Sequence, residues 1–328
     1  MRTIAITGSE VTMAAIPADR PRIGWIGCGR MGAALAKRLL LAGYDVAVYN
    51  RTRAKAEALV ELGATIAERP IDLADRDVVF TMVAASADLE DVTAGKDGVL
   101  TNPDVAPKVL IDSSTVSEEA SASVRVVALK RGTELLAAPV SGNPKVVDAG
   151  RVTLAVSGPR PVFDQVEPVL AALGKAVTYV GEDEVARLVK IAHNVFLGVV
   201  IQSMAEITVL AEKGGVSRAA FLEFLNQSVM GSAFSHYKTP ALVNLDFTPT
   251  FTMPLLRKDF DLGLQAARTL EAPMPVASAA AQIVSAAIGA GYRDEDFSVL
   301  IQEQARRAGM KLEPEDADVT DGLEAKDG

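Results

Sequence analysis

A glycine-rich turn near the start of the chain connects an apolar segment to an Ala- and Leu-rich segment. The apolar segment is Ile23–Ile26, and the turn after it reads Gly-Cys-Gly-Arg-Met-Gly over residues 27–32. In a strand–turn–helix unit, Gly27 allows a tight turn, Gly29 leaves room for a pyrophosphate, and Gly32 lets the helix pack closely on the strand. The unpaired N–H groups at the helix start attract phosphate, which the helix dipole also favours. The pattern therefore predicts a dinucleotide-binding α/β unit.

The next predicted strand ends in Asn50-Arg51-Thr52-Arg53. An NAD-binding unit places an acid about 20 residues after the glycines, where it accepts a hydrogen bond from the ribose 2′-hydroxyl. Asn50 stands there instead, and Arg51 and Thr52 are able to bind a 2′-phosphate by charge and hydrogen bonding. We therefore expect NADP(H) to be favoured over NAD(H). The alternative is that Asn50 only caps a helix over residues 54–62 and that both arginines are solvated.

Short apolar runs alternate with helical patterns through the first half of the chain, which indicates a largely parallel, doubly wound sheet. The predicted strands after the first cover residues 45–49, 78–82, 109–112, 134–137, 152–156 and 176–180. Thr115-x-x-Glu118 matches a capping box and predicts that a helix opens near Ser117. Beyond residue 182 the pattern is almost entirely helical. The predicted helices there cover residues 182–213, 218–227, 259–270, 275–289 and 297–308.

The predicted fold class is α/β: a Rossmann-type doubly wound sheet followed by an all-helical domain, joined by a long inter-domain helix. The predicted dinucleotide-binding domain covers residues 21–181, and the helical substrate and oligomerisation domain covers residues 182–311. Residues 1–20 are predicted to be a flexible extension. The acidic, polar tail over residues 312–328 is predicted to be disordered.

Composition narrows the classes of partner and site. The net charge of −9 and the absence of a basic cluster argue against a nucleic-acid partner, and no membrane partner is expected. The single cysteine excludes an intrachain disulfide and indicates a reducing compartment, so the expected location is the cytoplasm. With only two histidines and no Cys/His cluster, no metal site is expected.

Ligands of a doubly wound sheet bind beyond the carboxyl ends of its strands. Met82-Val83-Ala84 and Thr115 follow two of these ends, so we expect them to line the cofactor site. The expected cofactor contacts are Gly27, Cys28, Gly29, Arg30, Met31, Gly32, Asn50, Arg51, Thr52, Met82, Val83, Ala84 and Thr115. A helix N-terminus lowers the pKa of a thiol, but we interpret Cys28 as a small packing residue rather than a redox switch.

Lys190 and Asn194 lie at positions i and i+4 of the predicted long helix and therefore share one face. A partly buried lysine beside an oxidised nicotinamide loses affinity for its proton, because desolvation and the positive ring both disfavour the ammonium. Such a lysine can exchange a proton with a carbinol or carbonyl oxygen while hydride moves. Asn194 offers a donor and an acceptor that orient the substrate or the lysine. Taken alone, the pair is also typical of a solvent-exposed helix surface.

A third group lies at a predicted strand end, in Ala-Pro-Val-Ser141-Gly142-Asn143. A serine hydroxyl and bare backbone N–H groups there are able to bind a substrate carboxylate. The alternative is that Pro139 and Gly142 only form a turn.

In order and spacing, the glycine turn, Asn-Arg-Thr, Pro-Val-Ser-Gly and Lys-x-x-x-Asn together resemble the β-hydroxyacid dehydrogenase family. That family includes 3-hydroxyisobutyrate dehydrogenase and glyoxylate/succinic semialdehyde reductases, and the resemblance covers roughly residues 21–310. It implies an NADP(H)-dependent oxidoreductase that acts on a small β-hydroxy acid or the matching semialdehyde. It also implies a homodimer or homotetramer built on the helical domain.

The same resemblance implies roles for single residues. Lys190 matches the family's catalytic acid/base, and Lys258 and Thr115 match groups near the cofactor. The implied substrate contacts are Ser141, Gly142 and Asn194, and Asn143 of the same loop is a further candidate contact.

The chain departs from the family pattern in the substrate loop. Ala137 replaces a common acid, Asn143 replaces a second glycine, and Lys145-Val146 replaces a Gly-Gly pair. Lys145 is therefore either a partner for a second anionic group or a solvent-exposed residue, and we favour the second interpretation. These changes add bulk and a charge to the predicted substrate loop.

The chain also resembles two related families. Lys190-x-x-His193-Asn194 matches the first part of the 6-phosphogluconate dehydrogenase pattern, but Leu197 occupies the position of its proton-donating glutamate. We interpret His193 as a helix residue turned away from the site. Imine reductases share the fold and the Asn-Arg-Thr signature but generally lack the lysine. An imine reductase-like activity and a non-catalytic dinucleotide-binding protein are the alternative functions.

Overall fold

The computed structural model describes residues 20–323. The predicted flexible extension lies outside the described residues except for Arg20, whose guanidinium donates to the Gly43 carbonyl at 3.0 Å. Two compact units are distinguished by their internal contacts. Within the described residues, the first comprises residues 20–138 together with Val156–Ala172 and Tyr179–Glu184. The second comprises Pro139–Ala155, Leu173–Thr178 and residues 185–323.

Nine strands are present in the described residues. They are β1 (Ile23–Ile26), β2 (Val46–Tyr49), β3 (Thr65–Ile66), β4 (Val78–Thr81), β5 (Val109–Asp112), β6 (Glu134–Ala137), β7 (Val140–Ser141), β8 (Thr153–Ser157) and β9 (Ala176–Gly181). In the first unit, six strands run parallel in the order β3-β2-β1-β4-β5-β6. The Rossmann-type sheet predicted from the sequence is thereby confirmed.

Six of the described α-helices lie before residue 172. They are α1 (Arg30–Leu41), α2 (Ala54–Glu57), α3 (Ser86–Ala94), α4 (Glu118–Lys130), α5 (Pro144–Asp148) and α6 (Arg160–Ala171). The later helices are α7 (Val185–Lys213), α8 (Arg218–Gln227), α9 (Ala233–Asn244), α10 (Met253–Thr269), α11 (Pro275–Gly289) and α12 (Leu300–Arg307). Short 3₁₀ helices cover Val60–Leu62, Pro70–Leu73 and Phe297–Val299.

Two predictions of local structure in the first unit were wrong. The helix expected over residues 54–62 is a four-residue α2 followed by a 3₁₀ turn. Thr115 does not cap α4, because Ser117 is the N-cap residue and its hydroxyl accepts from the Ala120 N–H at 3.3 Å. The capping box was therefore assigned two residues too early.

The core of the first unit lies on its parallel sheet. All four residues of β1 are buried, as expected for a parallel strand that is covered on both faces. Trp25 stacks on Phe80 of the neighbouring strand β4, with 5.1 Å between ring centroids. This packing fixes the strand that leads into the glycine turn.

The second unit has its core where α7 packs against α10, α11 and α12. Gly198 lies inside α7, where a glycine normally costs about 1 kcal/mol relative to alanine. A Cβ atom at this position would lie 2.6 Å from the Phe260 ring of α10. The glycine is therefore required by the close approach of the two helices.

Helix α7 is long enough and apolar enough to span a membrane, judged by its length and composition alone. It has 29 residues, and the mean hydropathy of its most apolar window is 1.6. Half of that window is buried inside the protein, as in a helix at the centre of a helical domain.

The acidic tail was predicted to be disordered, and for residues 312–323 this was wrong. Leu312 is buried in the helical core, and the Glu315 carboxylate accepts from the backbone N–H groups of Arg218 and Ala219 at the start of α8. The Ala317 backbone exchanges two hydrogen bonds with the Asn244 side chain. Apolar anchors and specific acceptors thus stabilise a segment whose composition indicated disorder.

Candidate active site

The glycine turn of the first unit has the steric properties that the sequence predicts. Gly27 has a φ of +100°, and a Cβ atom there would lie 2.2 Å from the Met82 carbonyl oxygen. At Gly32 a Cβ atom would lie 1.9 Å from the Gly27 carbonyl oxygen. At Gly29, the N-cap of α1, it would meet no atom within 4 Å. The open space at a helix N-terminus fits a dinucleotide pyrophosphate.

Asn50 links the end of β2 to this turn. Its Oδ1 accepts from the Cys28 N–H at 2.8 Å, and its Nδ2 donates to the Thr52 carbonyl at 2.8 Å. The alternative role as a helix cap is wrong, because Arg53 is the N-cap residue of α2. Asn50 therefore fixes the loop on which Arg51 and Thr52 lie.

The two arginines after Asn50 differ in their surroundings. The Arg51 side chain is 88% exposed and has a single long ion pair with Asp88, at 3.4 Å. Arg53 forms ion pairs with Glu68 and Glu57. Arg51 and the exposed Thr52 are thus the residues that remain accessible to an anion.

The carboxyl ends of β4 and β5 are held together by a buried carboxylate. Asp112 Oδ1 accepts from the hydroxyls of Thr81 and Ser114, both at 2.6 Å. The Ser114 hydroxyl oxygen in turn accepts from the Val83 N–H at 2.9 Å. This network positions Val83 and the adjacent Met82 and Ala84 at the strand ends. Sequence reasoning missed the role of Asp112, although a buried acid at a strand end was a visible signal.

The other expected cofactor contacts lie in the same unit. Arg30 and Met31 begin α1, and Thr115 follows β5 and is half-buried. Burial raises the pKa of the Cys28 thiol to about 12. This thiol is protonated at neutral pH, in agreement with a packing role.

In the second unit, the predicted substrate loop forms a short strand and a helix start. Ser141 ends β7, and Gly142 has a φ of +146°. A Cβ atom at Gly142 would lie 2.8 Å from a methyl group of Val146, so glycine is required here. The Asn143 side-chain oxygen accepts from the Val146 N–H at 3.0 Å and caps α5. The Asn143 side chain is therefore oriented by α5 through its oxygen, and its amide nitrogen is a donor for a ligand.

His193 does not turn away from this loop, so our interpretation of it from the sequence was wrong. Its Nε2 lies 2.9 Å from the Ser141 hydroxyl oxygen. Its Nδ1 lies 3.0 Å from Oδ1 of Asn194. The available signal was that His193 is adjacent in sequence to Asn194, which was already a predicted substrate contact together with Ser141.

Asn194 connects α7 to α10. It is buried, and its Nδ2 donates to the Asp259 carboxylate at 2.7 Å. Asp259 is buried as well, and burial raises its pKa. Lys258 lies 3.6 Å from the other Asp259 oxygen. Ser141, His193, Asn194, Asp259 and Lys258 thus form one continuous polar chain.

Lys190 lies on α7 one turn before Asn194 and is half-buried. Burial lowers the pKa of its ammonium to about 8, an effect that the Asp259 carboxylate opposes and the Lys258 charge reinforces. A lysine in this range exchanges its proton near neutral pH, which is the property of a general acid or base.

Helix α5, which follows the substrate loop, contains Lys145, the charged residue that departs from the family pattern. Lys145 is 70% exposed and lies 3.7 Å from the Asp321 carboxylate. Both residues line a cavity of about 610 Å³ in the second unit, together with Asn143. The cavity is also lined by residues of α9, among them Tyr237 and Lys238. The helices predicted from the sequence did not include α9.

Comparison with protein families covers nearly the whole described chain. Residues 22–181 match the family described as the NAD binding domain of 6-phosphogluconate dehydrogenase. Residues 185–303 match the family described as NAD-binding of NADP-dependent 3-hydroxyisobutyrate dehydrogenase. The chain belongs to the β-hydroxyacid dehydrogenase family. It is a dinucleotide-dependent oxidoreductase of the hydroxyacid dehydrogenase type.

Individual members of the family support this assignment. The chain is 31% identical to glyoxylate/succinic semialdehyde reductase 2 of Arabidopsis thaliana, over 85% of its own length and 78% of that protein's. It is 32% identical to 2-(hydroxymethyl)glutarate dehydrogenase of Eubacterium barkeri, over 89% and 97% of the two lengths. The 3-hydroxyisobutyrate dehydrogenase of Salmonella typhimurium is similar in structure, with a TM-score of 0.77, 27% identity and coverage of 86% and 99%.

Proposed function

We propose that this β-hydroxyacid dehydrogenase is an NADP(H)-dependent enzyme that interconverts a small β-hydroxy acid and its aldehyde or semialdehyde. The observation that carries the proposal is the half-buried Lys190, with a pKa near 8, one helical turn from the Ser141–His193–Asn194 contacts. A bound nicotinamide supplies or accepts the hydride. Lys190 supplies or accepts the proton.

The proton moves between Lys190 Nζ and the oxygen of the reacting carbon. In the reductive direction the ammonium donates to the oxygen that develops negative charge, and the neutral amine remains. In the oxidative direction the neutral amine takes the hydroxyl proton. The buried Asn194 amide donates to the Asp259 carboxylate and so fixes the position of α7 against α10 near Lys190. The Ser141 hydroxyl and the Gly142 backbone bind the acid group of the substrate.

A substrate screen tests the proposal directly. NADPH oxidation would be followed with glyoxylate, succinic semialdehyde and a cyclic imine, and the reverse reaction with a panel of hydroxy acids. Turnover of the aldehydes supports the proposal. Turnover of the imine alone would assign an imine reductase-like activity, and no turnover with either class would favour a non-catalytic dinucleotide-binding protein.

The cofactor preference is tested by Arg51→Ala. Because hydrogen bonds to a charged group contribute about 1.5–3 kcal/mol, we expect NADPH affinity to fall by roughly 10- to 100-fold while NADH affinity stays unchanged. Both dissociation constants would be measured by titration calorimetry. Arg53→Ala is the matched control, since Arg53 is paired with Glu57 and Glu68. Equal losses for NADPH and NADH in the Arg51 variant would contradict 2′-phosphate recognition.

The pKa of Lys190 determines how kcat changes with pH in the reductive and oxidative directions. Reduction needs the protonated amine, so kcat for the aldehyde is expected to fall about tenfold per pH unit above the Lys190 pKa, which is about 8 in the protein alone. Oxidation needs the neutral amine, so kcat for the hydroxy acid is expected to rise with pH up to the same value. Saturating kinetics in both directions from pH 6 to 10 provide the measurement. Parallel profiles would rule out Lys190 as the group that exchanges the proton.

We propose further that the enzyme is a homodimer or homotetramer that associates through α7. Val189, Ala192, Phe196, Ser203 and Leu210 follow one another at intervals of three, four or seven residues and are all exposed. Phe196 is 68% exposed and Leu210 is 72% exposed, as is typical of an interaction surface. Light scattering is expected to give a mass of two or four 34.5 kDa chains. Phe196→Glu is expected to shift this mass toward one chain, and a monomeric wild type would disprove the proposal.

A further inference from the structure

The proposed mechanism assigns no chemical role to His193, which lies on α7 in the second unit. Its ring lies between the Ser141 hydroxyl and the Asn194 amide, at 2.9 Å and 3.0 Å. Part of its surface is exposed to solvent, so a ligand at Ser141 has access to it. A polar ring placed against the residue proposed to bind the substrate's acid group determines how that residue presents its proton.

The hydrogen bonds around Asn194 fix the tautomer of the ring. Asn194 Nδ2 donates to the Asp259 carboxylate, so its Oδ1 is the atom that faces His193. This oxygen can only accept, and His193 Nδ1 therefore carries the hydrogen. In the neutral ring, Nε2 is then an acceptor.

The consequence for Ser141 follows from its single hydroxyl proton. While His193 is neutral, the Ser141 hydroxyl donates to Nε2 and presents only lone pairs to a ligand. A carboxylate also has only lone pairs, so it finds no donor in this hydroxyl. When His193 is protonated, Nε2–H donates to the serine oxygen, and the hydroxyl proton becomes available to the carboxylate.

We propose that His193 is a positioning residue that sets the direction of the Ser141 hydroxyl bond and thereby couples binding of the substrate carboxylate to uptake of one proton. The inference rests on the proposed function, because it takes the acid group of the substrate as the ligand of Ser141. The coupling is electrostatically favourable, because the negative charge of the carboxylate and the positive charge of the added proton enter the site together.

The surroundings of His193 favour its neutral form when no anion is bound. Partial burial and the Lys190 charge on the same helix lower its pKa below the usual value, and the Asn194 hydrogen bond opposes them. From α10, the Asp259 carboxylate accepts from Asn194, and Lys258 lies 3.6 Å from that carboxylate. On the side of the serine loop, the charged residue of α5 is Lys145, which lies by Asp321. A bound carboxylate at Ser141 adds negative charge and raises the pKa of His193.

The kinetic test compares the wild type, His193→Asn and Ser141→Ala with succinic semialdehyde and, as a substrate without a carboxylate, butanal. For the wild type, KM for the semialdehyde is expected to rise up to tenfold per pH unit from pH 6 to 7.5, whereas KM for butanal stays level. Both variants are expected to have a higher KM that no longer changes over this range. A slope that persists in Ser141→Ala would show that His193 acts by charge alone and would overturn the inference, as would a slope that persists in His193→Asn.

Imidazole ¹⁵N NMR tests the same point without turnover. The chain has only two histidines, His193 and His236, so His193→Asn assigns the signals. We expect the Nδ1–H tautomer of His193 at pH 7.5 and a rise of its pKa by at least about half a unit when propionate is added to the NADP⁺ complex. An Nε2–H tautomer, or a pKa that propionate leaves unchanged, would overturn the inference. If the wild type turned over no substrate, the proposed function would fail, and the NMR result would decide the inference separately.

Discussion

Replacement of Lys190 by methionine is expected to lower kcat at least about a hundredfold, because general acid–base catalysis contributes about 10²- to 10⁴-fold and no other group takes over the proton. Methionine retains the length and apolar stem of lysine, so α7 is expected to keep its packing. NADPH affinity should stay within a factor of about two, since Lys190 lies in the second unit and the glycine turn in the first. Stopped-flow kinetics with the best substrate of the screen, together with NADPH titration, provide the measurement.

The matched control is Lys213→Met, which changes the other lysine of α7. Its ammonium donates to the Ala308 carbonyl at 2.7 Å at the far end of the helix. We expect this variant to retain the wild-type kcat. Retained turnover in Lys190→Met would show that another residue exchanges the proton. A matching loss in the control would indicate that α7 is sensitive to any substitution.

The parts of the fold that follow from local pattern could be predicted from the sequence. Strand β1 and helices α8 and α11 begin and end at the residues that their apolar patterns and turn residues indicate. The glycine turn was predictable for the same reason, because its chemistry lies within six consecutive residues. Short strands such as β7 have too few residues for a period to be recognised.

The tail shows how tertiary contacts outweigh composition. An acidic and polar segment lacks the apolar surface that offsets the loss of chain entropy. Here Leu312 supplies an apolar anchor and Glu315 caps α8. Neither partner is adjacent in sequence, so the pattern alone could not reveal the pairing. The start of α9 was missed although Ser232 and Ser235 form a capping box there.

In the candidate site, too, residues within short motifs could be predicted from the sequence, whereas contacts between distant segments could not. Lys190, Asn194 and Ser141 were identifiable because they match the motifs of a family. The contact of His193 with Ser141 joins residues 52 positions apart, and the bond from Asn194 to Asp259 joins residues 65 positions apart. Such contacts depend on how α7 packs against β7 and α10, which helical spacing does not specify. The predicted domain boundaries and the cofactor-binding residues remain predictions. Substitutions in the glycine turn test the cofactor-binding residues.

Two glycine substitutions are expected to separate folding from cofactor binding. In Gly32→Ala the new methyl group would lie 1.9 Å from the Gly27 carbonyl oxygen. We expect it to lower the free energy of unfolding by about 3 kcal/mol, the upper part of the range for overpacking, and to weaken dinucleotide binding as well. Thermal denaturation and NADPH titration provide the two measurements.

Gly29→Val is the informative partner of that variant, because a Cβ atom at residue 29 meets nothing within 4 Å and its backbone is extended. The change of N-cap residue is expected to cost at most about 1 kcal/mol of stability. Its methyl groups occupy the space that a pyrophosphate needs at the start of α1, so NADPH and NADH affinity should both fall at least about tenfold, which corresponds to about 1.4 kcal/mol. Normal cofactor affinity in a folded Gly29→Val protein would show that the pyrophosphate does not bind at this turn, because the valine methyl groups would then occupy the open space at residue 29 without displacing the cofactor.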